Sequence, residues 1–299
     1  MEYVLKTEGL TKIYSKTRVV DNVDMINRPG DIYGFVGKNG AGKTTFIRLL
    51  LGLARITDGK VSFFDGENIR RARKKTGSLV ESPSFYPNMT AEENIRIFCR
   101  MIGEDEKQAK SVLEKVGLAD TGRKKAGHFS LGMKQRLGLA LALVGDPEFL
   151  ILDEPINGLD PTGIAEIRKL ILSLKNEQGK TLLISSHLIS ELEKIATRYG
   201  IIAKGRLVEE ITADELDQKC GNKTSLRTSD ADRTVEILKK LFDSDKIEKS
   251  ADGIVYISEK IEDIGRITNE LYNNNITVKT ISSTDNTIES YFIERMEGG

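Results

Sequence analysis

The chain has 299 residues, a length that accommodates one large α/β domain and a smaller second domain. Its 45 Lys and Arg residues balance 45 Asp and Glu residues, so no overall positive field attracts nucleic acid. Two cysteines are too few for a disulfide framework and indicate a reducing cytosol. No segment reaches the roughly 18 apolar residues of a membrane span, and we expect a soluble chain that reaches membranes only through a partner.

Residues 2–30 predict short strands separated by turns, at 3–5, 18–20 and 24–26. Tyr14 lies between the first two of these strands. Its ring could stack on an adenine, whose π-face accepts a flat ring, or it could be a half-buried aromatic of a sheet. The spacing alone leaves both roles open.

The segment 37–45 lies between two apolar runs, 32–36 and 46–51. Its Gly-x-x-x-x-Gly-Lys-Thr spacing is typical of a phosphate-binding P-loop between a strand and a helix. Glycines let successive N–H groups surround phosphate oxygens, and the helix N-terminus adds a positive dipole end. The lysine can reach the β- and γ-phosphates, and the first threonine can bind Mg²⁺. We predict nucleotide binding through Gly37, Lys38, Asn39, Gly40, Ala41, Gly42, Lys43, Thr44 and Thr45.

A further strand is predicted at 76–80 and has Glu81 at its carboxyl end. Ligands bind at the carboxyl ends of parallel strands, so we expect Glu81 near the phosphate site. The basic run at 70–75 precedes this strand. We interpret it as a solvated face and not as a nucleic-acid site.

Residues 84–147 predict a mainly helical insertion. Thr90 and Glu93 form the pattern of a capping box at a helix start. Ser130 occupies the position of an N-cap before a long apolar helix, and Gly132 would let a ligand approach the backbone closely. This helix start is suited to anions, although an ordinary capped helix has the same sequence pattern.

The apolar run 149–152 predicts a strand buried on both faces, which ends in Asp153 and Glu154. Burying uncompensated charge is costly, so this pair is better explained by function. We expect Asp153 to position Mg²⁺ and Glu154 to polarise the water that attacks the γ-phosphate. A second buried strand, 181–185, leads to His187, within reach of the same phosphate, and a helix is predicted at 188–197.

These segments together resemble the nucleotide-binding subunits of ABC transporters over about residues 1–215. The resemblance implies a P-loop NTPase core of the α/β class, with an antiparallel β subdomain and the helical insertion at about 84–147. We therefore place this domain at 1–218. The motifs that carry the resemblance are the P-loop, the signature at 129–133, the strand at 149–154, the D-loop ending at Asp160, the switch histidine His187 and, at the adenine-stacking position, Tyr14.

The resemblance implies that the chain binds ATP with Mg²⁺ and hydrolyses it in a head-to-tail dimer. Each ATP would lie between the P-loop of one copy and the signature of the other. The implied catalytic residues are Glu154, His187 and Lys43. In addition to the P-loop and Tyr14, the implied nucleotide-binding residues are Ser130, Gly132 and Asp160.

Two positions depart from the family pattern. The signature Leu-Ser-Gly-Gly-Gln is here Phe-Ser-Leu-Gly-Met, which keeps the serine and the second glycine. The Q-loop glutamine, which contacts Mg²⁺ and the membrane subunit, is replaced by Glu81, which keeps an oxygen ligand and adds a charge. The implied metal-binding residues are thus Thr44, Glu81 and Asp153. At both positions the sequence resembles the branch of the family that serves bacitracin export and lantibiotic self-immunity.

The leading hypothesis is therefore the ATP-hydrolysing subunit of a drug or peptide-antibiotic exporter. Its expected partners are a second nucleotide-binding subunit, with a homodimer favoured, and integral permease subunits at the inner face of the cell membrane. The alternative is a soluble ABC ATPase that acts on nucleic acid, ribosomes or an assembly complex. Such proteins carry two cassettes or long coiled coils, and this sequence has one cassette and no heptad run.

The remaining residues predict a separate accessory domain at 224–299, after a linker at 219–223. The apolar pattern is βαββαβ-like and indicates a small α+β fold that ends in a helix at 287–296. No catalytic motif lies in it. The resemblance leaves a regulatory or a dimerising role open.

Overall fold

A computed structural model describes residues 1–220, 223–242, 247–250, 252–257, 264–284 and 287–298. It divides into two compact units. The first contains Met1–Ala213 together with Glu294–Gly299, and the second is Asp214–Ile293. The predicted domains were 1–218 and 224–299. In the structure the first unit ends earlier, at Ala213, and it also includes the last residues of the chain, Glu294–Gly299.

The first unit contains two sheets and the helices that pack on them. Its strands are β1 (Leu5–Tyr14), β2 (Thr17–Asn27), β3 (Ile32–Val36), β4 (Asp58–Phe63), β5 (Thr76–Leu79), β6 (Phe149–Asp153), β7 (Thr181–Ser186), β8 (Arg198–Ala203) and β9 (Arg206–Thr212). Its helices are α1 (Lys43–Leu50), α2 (Ile69–Lys74), α3 (Ala91–Ile102), α4 (Ala109–Lys115), α5 (Leu131–Leu143), α6 (Pro161–Asn176) and α7 (Ile189–Leu192).

The larger sheet has six strands in the order β5-β6-β7-β3-β8-β9. All its pairs are parallel except β8 with β9. Every residue of β3, β6 and β7 is buried, as expected for central strands covered on both faces. The smaller sheet, β2-β1-β4, is antiparallel. The predicted α/β core with an antiparallel β subdomain is confirmed.

Aromatic side chains fill the centre of this unit. Phe35 of β3 stacks on Phe46 of α1 with ring centroids 4.7 Å apart. The buried Tyr33 hydroxyl donates a 2.6 Å hydrogen bond to Glu210 of β9. Burial also raises the pKa of Tyr33 well above its usual range, because the charged phenolate would lose its hydration. This bond joins the edge strand to the core.

Several elements of the first unit differ from the sequence-based predictions. The short strands predicted within 2–30 are one long hairpin, β1 and β2. The buried Thr7 hydroxyl joins the two strands by donating to Val23 O at 2.9 Å. The helix predicted at 188–197 is only α7, because Thr197 N donates to Ile32 O and draws the chain into the sheet. The edge strand β9 was not predicted.

The helical insertion was predicted correctly. Thr90 and Glu93 form the capping box at the start of α3, with bonds of 3.2 and 2.7 Å in the two directions. The basic run 70–75 lies largely on α2, where its Arg side chains are exposed, so it is a solvated face. None of the described helices is long and apolar enough to cross a membrane.

The second unit is a small α+β fold. The elements in this part of the chain are α8 (Ala213–Cys220), β10 (Lys223–Thr228), α9 (Ala231–Leu238), β11 (Ile247–Lys249), β12 (Ile254–Ile257), α10 (Ile264–Asn273), β13 (Val278–Thr284) and α11 (Ile288–Gly298). The four strands form an antiparallel sheet in the order β11-β12-β10-β13. The order agrees with the predicted βαββαβ-like pattern and its final helix, although the short strand β11 was not predicted. The predicted linker 219–223 is wrong in part, since α8 extends to Cys220 and β10 begins at Lys223; residues 221–222 lie outside the described residues.

A hydrophobic cluster beneath this sheet includes Leu226, Leu238, Val255 and Leu271, all fully buried. These side chains come from two strands and two helices, so each element contributes its apolar face to one core. Both cysteines of the chain, Cys99 and Cys220, are buried, and no disulfide joins them.

Candidate nucleotide-binding site

The three central strands of the larger sheet bring the predicted site residues to one edge. In the parallel register, Asp153 of β6 pairs with Ser185 of β7, and Val36 of β3 pairs with Ser186. The loops that follow these strands therefore start at the same level of the sheet. This register places the P-loop beside Asp153, Glu154 and His187, as the sequence predicted.

The P-loop depends on its glycines in two ways. Gly40 and Gly42 have φ angles of 82° and 109°, a left-handed region that side chains rarely adopt. A Cβ on Gly37 would lie 2.6 Å from Ile202 O, and a Cβ on Gly42 would lie 2.6 Å from Val19 O. The loop therefore needs glycine for backbone conformation and for close packing against the neighbouring strands.

Lys43 lies at the centre of this loop with 6% of its side chain exposed. Its Nζ donates to Gly37 O at 2.7 Å and lies 3.3 Å from Oε1 of Glu154. A buried ammonium needs such partners, because its desolvation is otherwise costly. A phosphate oxygen offers the same negative charge as the carboxylate, so a bound nucleotide can take the place of Glu154 beside Lys43.

Thr44 and Asp153 form the second part of the site. The Thr44 hydroxyl donates to Oδ2 of Asp153 at 2.9 Å, and Asp153 is completely buried. The Ser185 hydroxyl donates to Oδ1 of the same carboxylate. A hydroxyl and a carboxylate are the hard oxygen ligands that Mg²⁺ prefers, so this pair fits the metal.

Ser185 is a site residue to which the sequence assigned no role. Besides its bond to Asp153, its Oγ accepts from the Glu154 backbone N at 3.0 Å. Glu154 has a φ of 49°, and its carboxylate Oε2 lies 2.9 Å from His187 Nδ1. The adjacent acids thus point to different partners: Asp153 to Thr44, and Glu154 to Lys43 and His187. This separation suits one metal ligand and one general base.

Glu81 does not share the contacts of Thr44 and Asp153. Its Oε1 accepts a 2.7 Å bond from the guanidinium of Arg48, a residue of α1 that the sequence analysis did not single out. Glu81 also has a left-handed φ of 57°. Among the described residues, no group of three or more His, Cys, Asp or Glu side chains is arranged to hold a metal. The metal-binding role of Glu81 stays a prediction.

Ser130, Gly132 and Asp160 line a separate cavity of about 440 Å³. Ser130 caps α5 by accepting from Met133 N at 3.3 Å, and Asp160 caps α6 by accepting from Gly163 N at 3.1 Å. No residue of the P-loop lines this cavity. The structure thus brings the signature and the D-loop together, in a cavity that the P-loop of the same chain does not line.

Tyr14 lies at the end of β1 with 46% of its surface exposed. Lys12 places its ammonium 4.6 Å from the centre of the Tyr14 ring, and the same ammonium donates to Arg55 O at 2.7 Å. The ring is therefore accessible, and its adenine-stacking role stays a prediction.

Comparison with known proteins agrees with these features. Residues 20–157 match the family model of the ABC transporter. The bacitracin transport ATP-binding protein BcrA of Bacillus licheniformis is 44% identical over 100% of this chain and 99% of its own length. The protein of the same name from Enterococcus faecalis is 42% identical over 100% and 98%. The lantibiotic transport ATP-binding protein SrtF of Streptococcus pyogenes is 44% identical over 69% and 90%.

Solved structures share the fold of about 70% of the chain. An ATP-binding subunit of an ABC transporter has a TM-score of 0.64 and 26% identity, and covers 72% of this chain and 92% of its own. The dimeric bacterial ABC transporter cassette MJ0796 has a TM-score of 0.62 and 23% identity, and covers 70% and 98%. Given relatives above 40% identity over the full length, this chain belongs to the ATP-binding, ATP-hydrolysing subunits of ABC transporters.

Proposed function

We propose that this chain powers an exporter of peptide antibiotics of the bacitracin type and so confers efflux or self-immunity. The observation that supports this substrate class is the share of the chain that aligns with each group of relatives. The bacitracin-transport relatives align with 100% of the chain, including its second unit, whereas the lantibiotic-transport relative aligns with 69%. The resemblance therefore favours bacitracin over a lantibiotic as the transported class.

In the proposed mechanism, Lys43 exchanges its contact with Glu154 for the γ-phosphate oxygens of ATP. Glu154, released from the ammonium, accepts the proton of the attacking water, and His187 orients the carboxylate through its 2.9 Å contact. Thr44 and Asp153 would hold Mg²⁺, which neutralises charge that develops on the phosphates. Ser185 keeps both acids in place through its two hydrogen bonds.

We further propose that two copies of the chain form the working unit. Ser130, Gly132 and Asp160 line a cavity that no P-loop residue enters, so their proposed contacts with nucleotide require the P-loop of a second copy. Closing two copies around ATP and reopening them after hydrolysis would move attached permease subunits. In this proposal the chain is held at the inner membrane face by those subunits.

The mechanism is tested by replacing Glu154 with glutamine, which keeps the shape and removes the base. At saturating Mg-ATP we expect hydrolysis to fall by about a hundredfold or more, within the range for loss of a general base, while ATP still binds. The matched control is Glu177→Gln, the same change at an exposed position just after α6, which should hydrolyse ATP like the wild type. Equal rates for the wild type and Glu154→Gln would refute the assignment.

The partner and substrate are tested in the source organism. Purification of the tagged chain from detergent-solubilised membranes should recover a permease with several membrane spans; recovery of ribosomal RNA or DNA instead would contradict the transport role. Cells that carry only Glu154→Gln should be several-fold more sensitive to bacitracin than cells with the wild type. Unchanged sensitivity to bacitracin, with increased sensitivity to a lantibiotic, would reassign the substrate class.

A further inference from the structure

The last turn of α11 lies against the P-loop. Met296 is 7% exposed, and it lines a cavity of about 370 Å³ together with Glu297. The remaining lining residues come from the P-loop, from the end of β8 and from the turn after it, and all of them belong to the first compact unit: Lys38, Asn39, Gly40, Ala41, Ile202, Ala203 and Lys204. The final residues of the chain thus cover part of the loop that binds phosphate.

Two ion pairs flank the buried methionine. Oε1 of Glu297 lies 2.9 Å from Lys38 Nζ, and Arg295 Nε lies 3.1 Å from Oε2 of Glu209 in β9. The hydrogen bond from Lys38 also holds the pKa of Glu297 below its usual range. The turn therefore presents an anion to the P-loop and a cation to the neighbouring edge strand, with an apolar contact between them.

We infer that this turn, residues 294–298, is a C-terminal clasp that competes with ATP and with a second copy of the chain for the P-loop. Lys38 and Asn39 are exposed P-loop residues beside the clasp, so a nucleotide or a second copy that binds them would have to displace the contact of Glu297 with Lys38. Glu297 also places a carboxylate beside a loop whose function is to bind polyphosphate. This inference rests on the dimer proposed above.

The strength of the clasp suits a reversible restraint. The Lys38 and Glu297 side chains are 56% and 64% exposed, and ion pairs at such positions are weak. Removing the pair should change the competing equilibria by about two- to fivefold, which corresponds to the upper part of the range for exposed pairs. A clasp of this strength yields to saturating ATP and still lowers dimerisation at low ATP.

Glu297→Gln removes the ion pair, and Glu294→Gln is its matched control. Both changes remove one negative charge from an exposed position of α11, but Glu294 has no ion pair among the residues that the structure describes. In nucleotide-free protein, hydrogen exchange of the peptide that contains residues 38–41 should be faster in Glu297→Gln than in the wild type and unchanged in Glu294→Gln. Equal exchange in all three proteins would overturn the clasp.

The competition is measured in the Glu154→Gln background by analytical ultracentrifugation with ATP. Glu297→Gln should lower the protein concentration for half-maximal dimerisation by about two- to fivefold. Faster exchange without tighter dimerisation would overturn the competition with a second copy. If none of the proteins dimerises, the proposed dimer fails, and binding of a fluorescent ATP analogue to the monomer decides the clasp: tighter binding by Glu297→Gln supports it, and equal binding overturns it.

Discussion

Glu81 shows how one residue can depart from a family pattern while its surroundings compensate. Its added negative charge is met by Arg48, 2.7 Å away, and both side chains are about half exposed at 54% and 43%. An exposed pair of this kind contributes little to folding, so the charge matters mainly for the site. Because Oε1 of Glu81 is bonded to Arg48, a metal ion at Glu81 would compete with the guanidinium for that oxygen.

We therefore expect opposite effects of two substitutions on the Mg²⁺ requirement. Glu81→Gln should raise the Mg²⁺ concentration for half-maximal ATP hydrolysis, because an amide oxygen is a weaker ligand than a carboxylate. Arg48→Gln should lower it, because the carboxylate is released. The control is Arg96→Gln, which removes an exposed ion pair with Glu92 in α3. Shifts in the same direction for both site variants would exclude the metal-binding role of Glu81.

At the scale of an element, the two glycines of α5, Gly132 and Gly138, have different surroundings. A Cβ on Gly132 would meet only Leu159 Cδ2, at 3.9 Å, whereas a Cβ on Gly138 would meet Pro83 atoms at 2.7 and 2.8 Å. Gly132 has room for a methyl group within its own chain. The proposed reason for glycine at this position is therefore a ligand, and the reason at Gly138 is packing.

Gly132→Ala should accordingly unfold at the same temperature as the wild type or slightly above it, because alanine is the better helix former by up to about 1 kcal/mol. Its ATP hydrolysis should fall at least tenfold, since the new methyl group would obstruct the approach of the γ-phosphate in a dimer. Gly138→Ala should be destabilised by overpacking. Thermal unfolding and ATPase assays on both variants measure the contrast, and full activity in Gly132→Ala would contradict the proposed contact.

For the whole molecule, the decisive property is that one site would use two chains. Glu154→Gln and Gly132→Ala are each expected to retain at most a small part of the wild-type activity, the first because it lacks the base and the second because the added methyl group obstructs the backbone. An equimolar mixture should recover about a quarter of the wild-type activity, because half of the dimers are mixed and each mixed dimer has one intact site. Activity that stays at the level of the separate variants would show that the two residues do not act across a dimer.

Much of the nucleotide site could be predicted because its motifs are contiguous. The P-loop needs glycines at set positions for its backbone angles. Two adjacent acids after a buried apolar strand indicate a functional site at that edge of the sheet, because burying unpaired charges is costly. Parallel strands align their carboxyl ends, and Lys43, Asp153, Glu154 and His187 all follow predicted strands of the core, so these residues could be expected to meet. Capping patterns such as that of Thr90 were equally readable, because cap and partner are three residues apart.

The sequence by itself determined the family, the nucleotide chemistry and the α/β core. These features depend on backbone requirements and apolar periodicity, which involve residues that are close together in the sequence. Only the tertiary structure decided which distant partners meet. Arg48 reaches Glu81, Ser185 joins Asp153 to Glu154, and β9 enters the sheet with Tyr33 bonded to its Glu210. The contact of Glu297 with Lys38 spans almost the whole chain. Such pairs depend on how the elements pack. Each polar side chain has many potential partners far away in the sequence, and their sequence separation does not identify the one that it contacts.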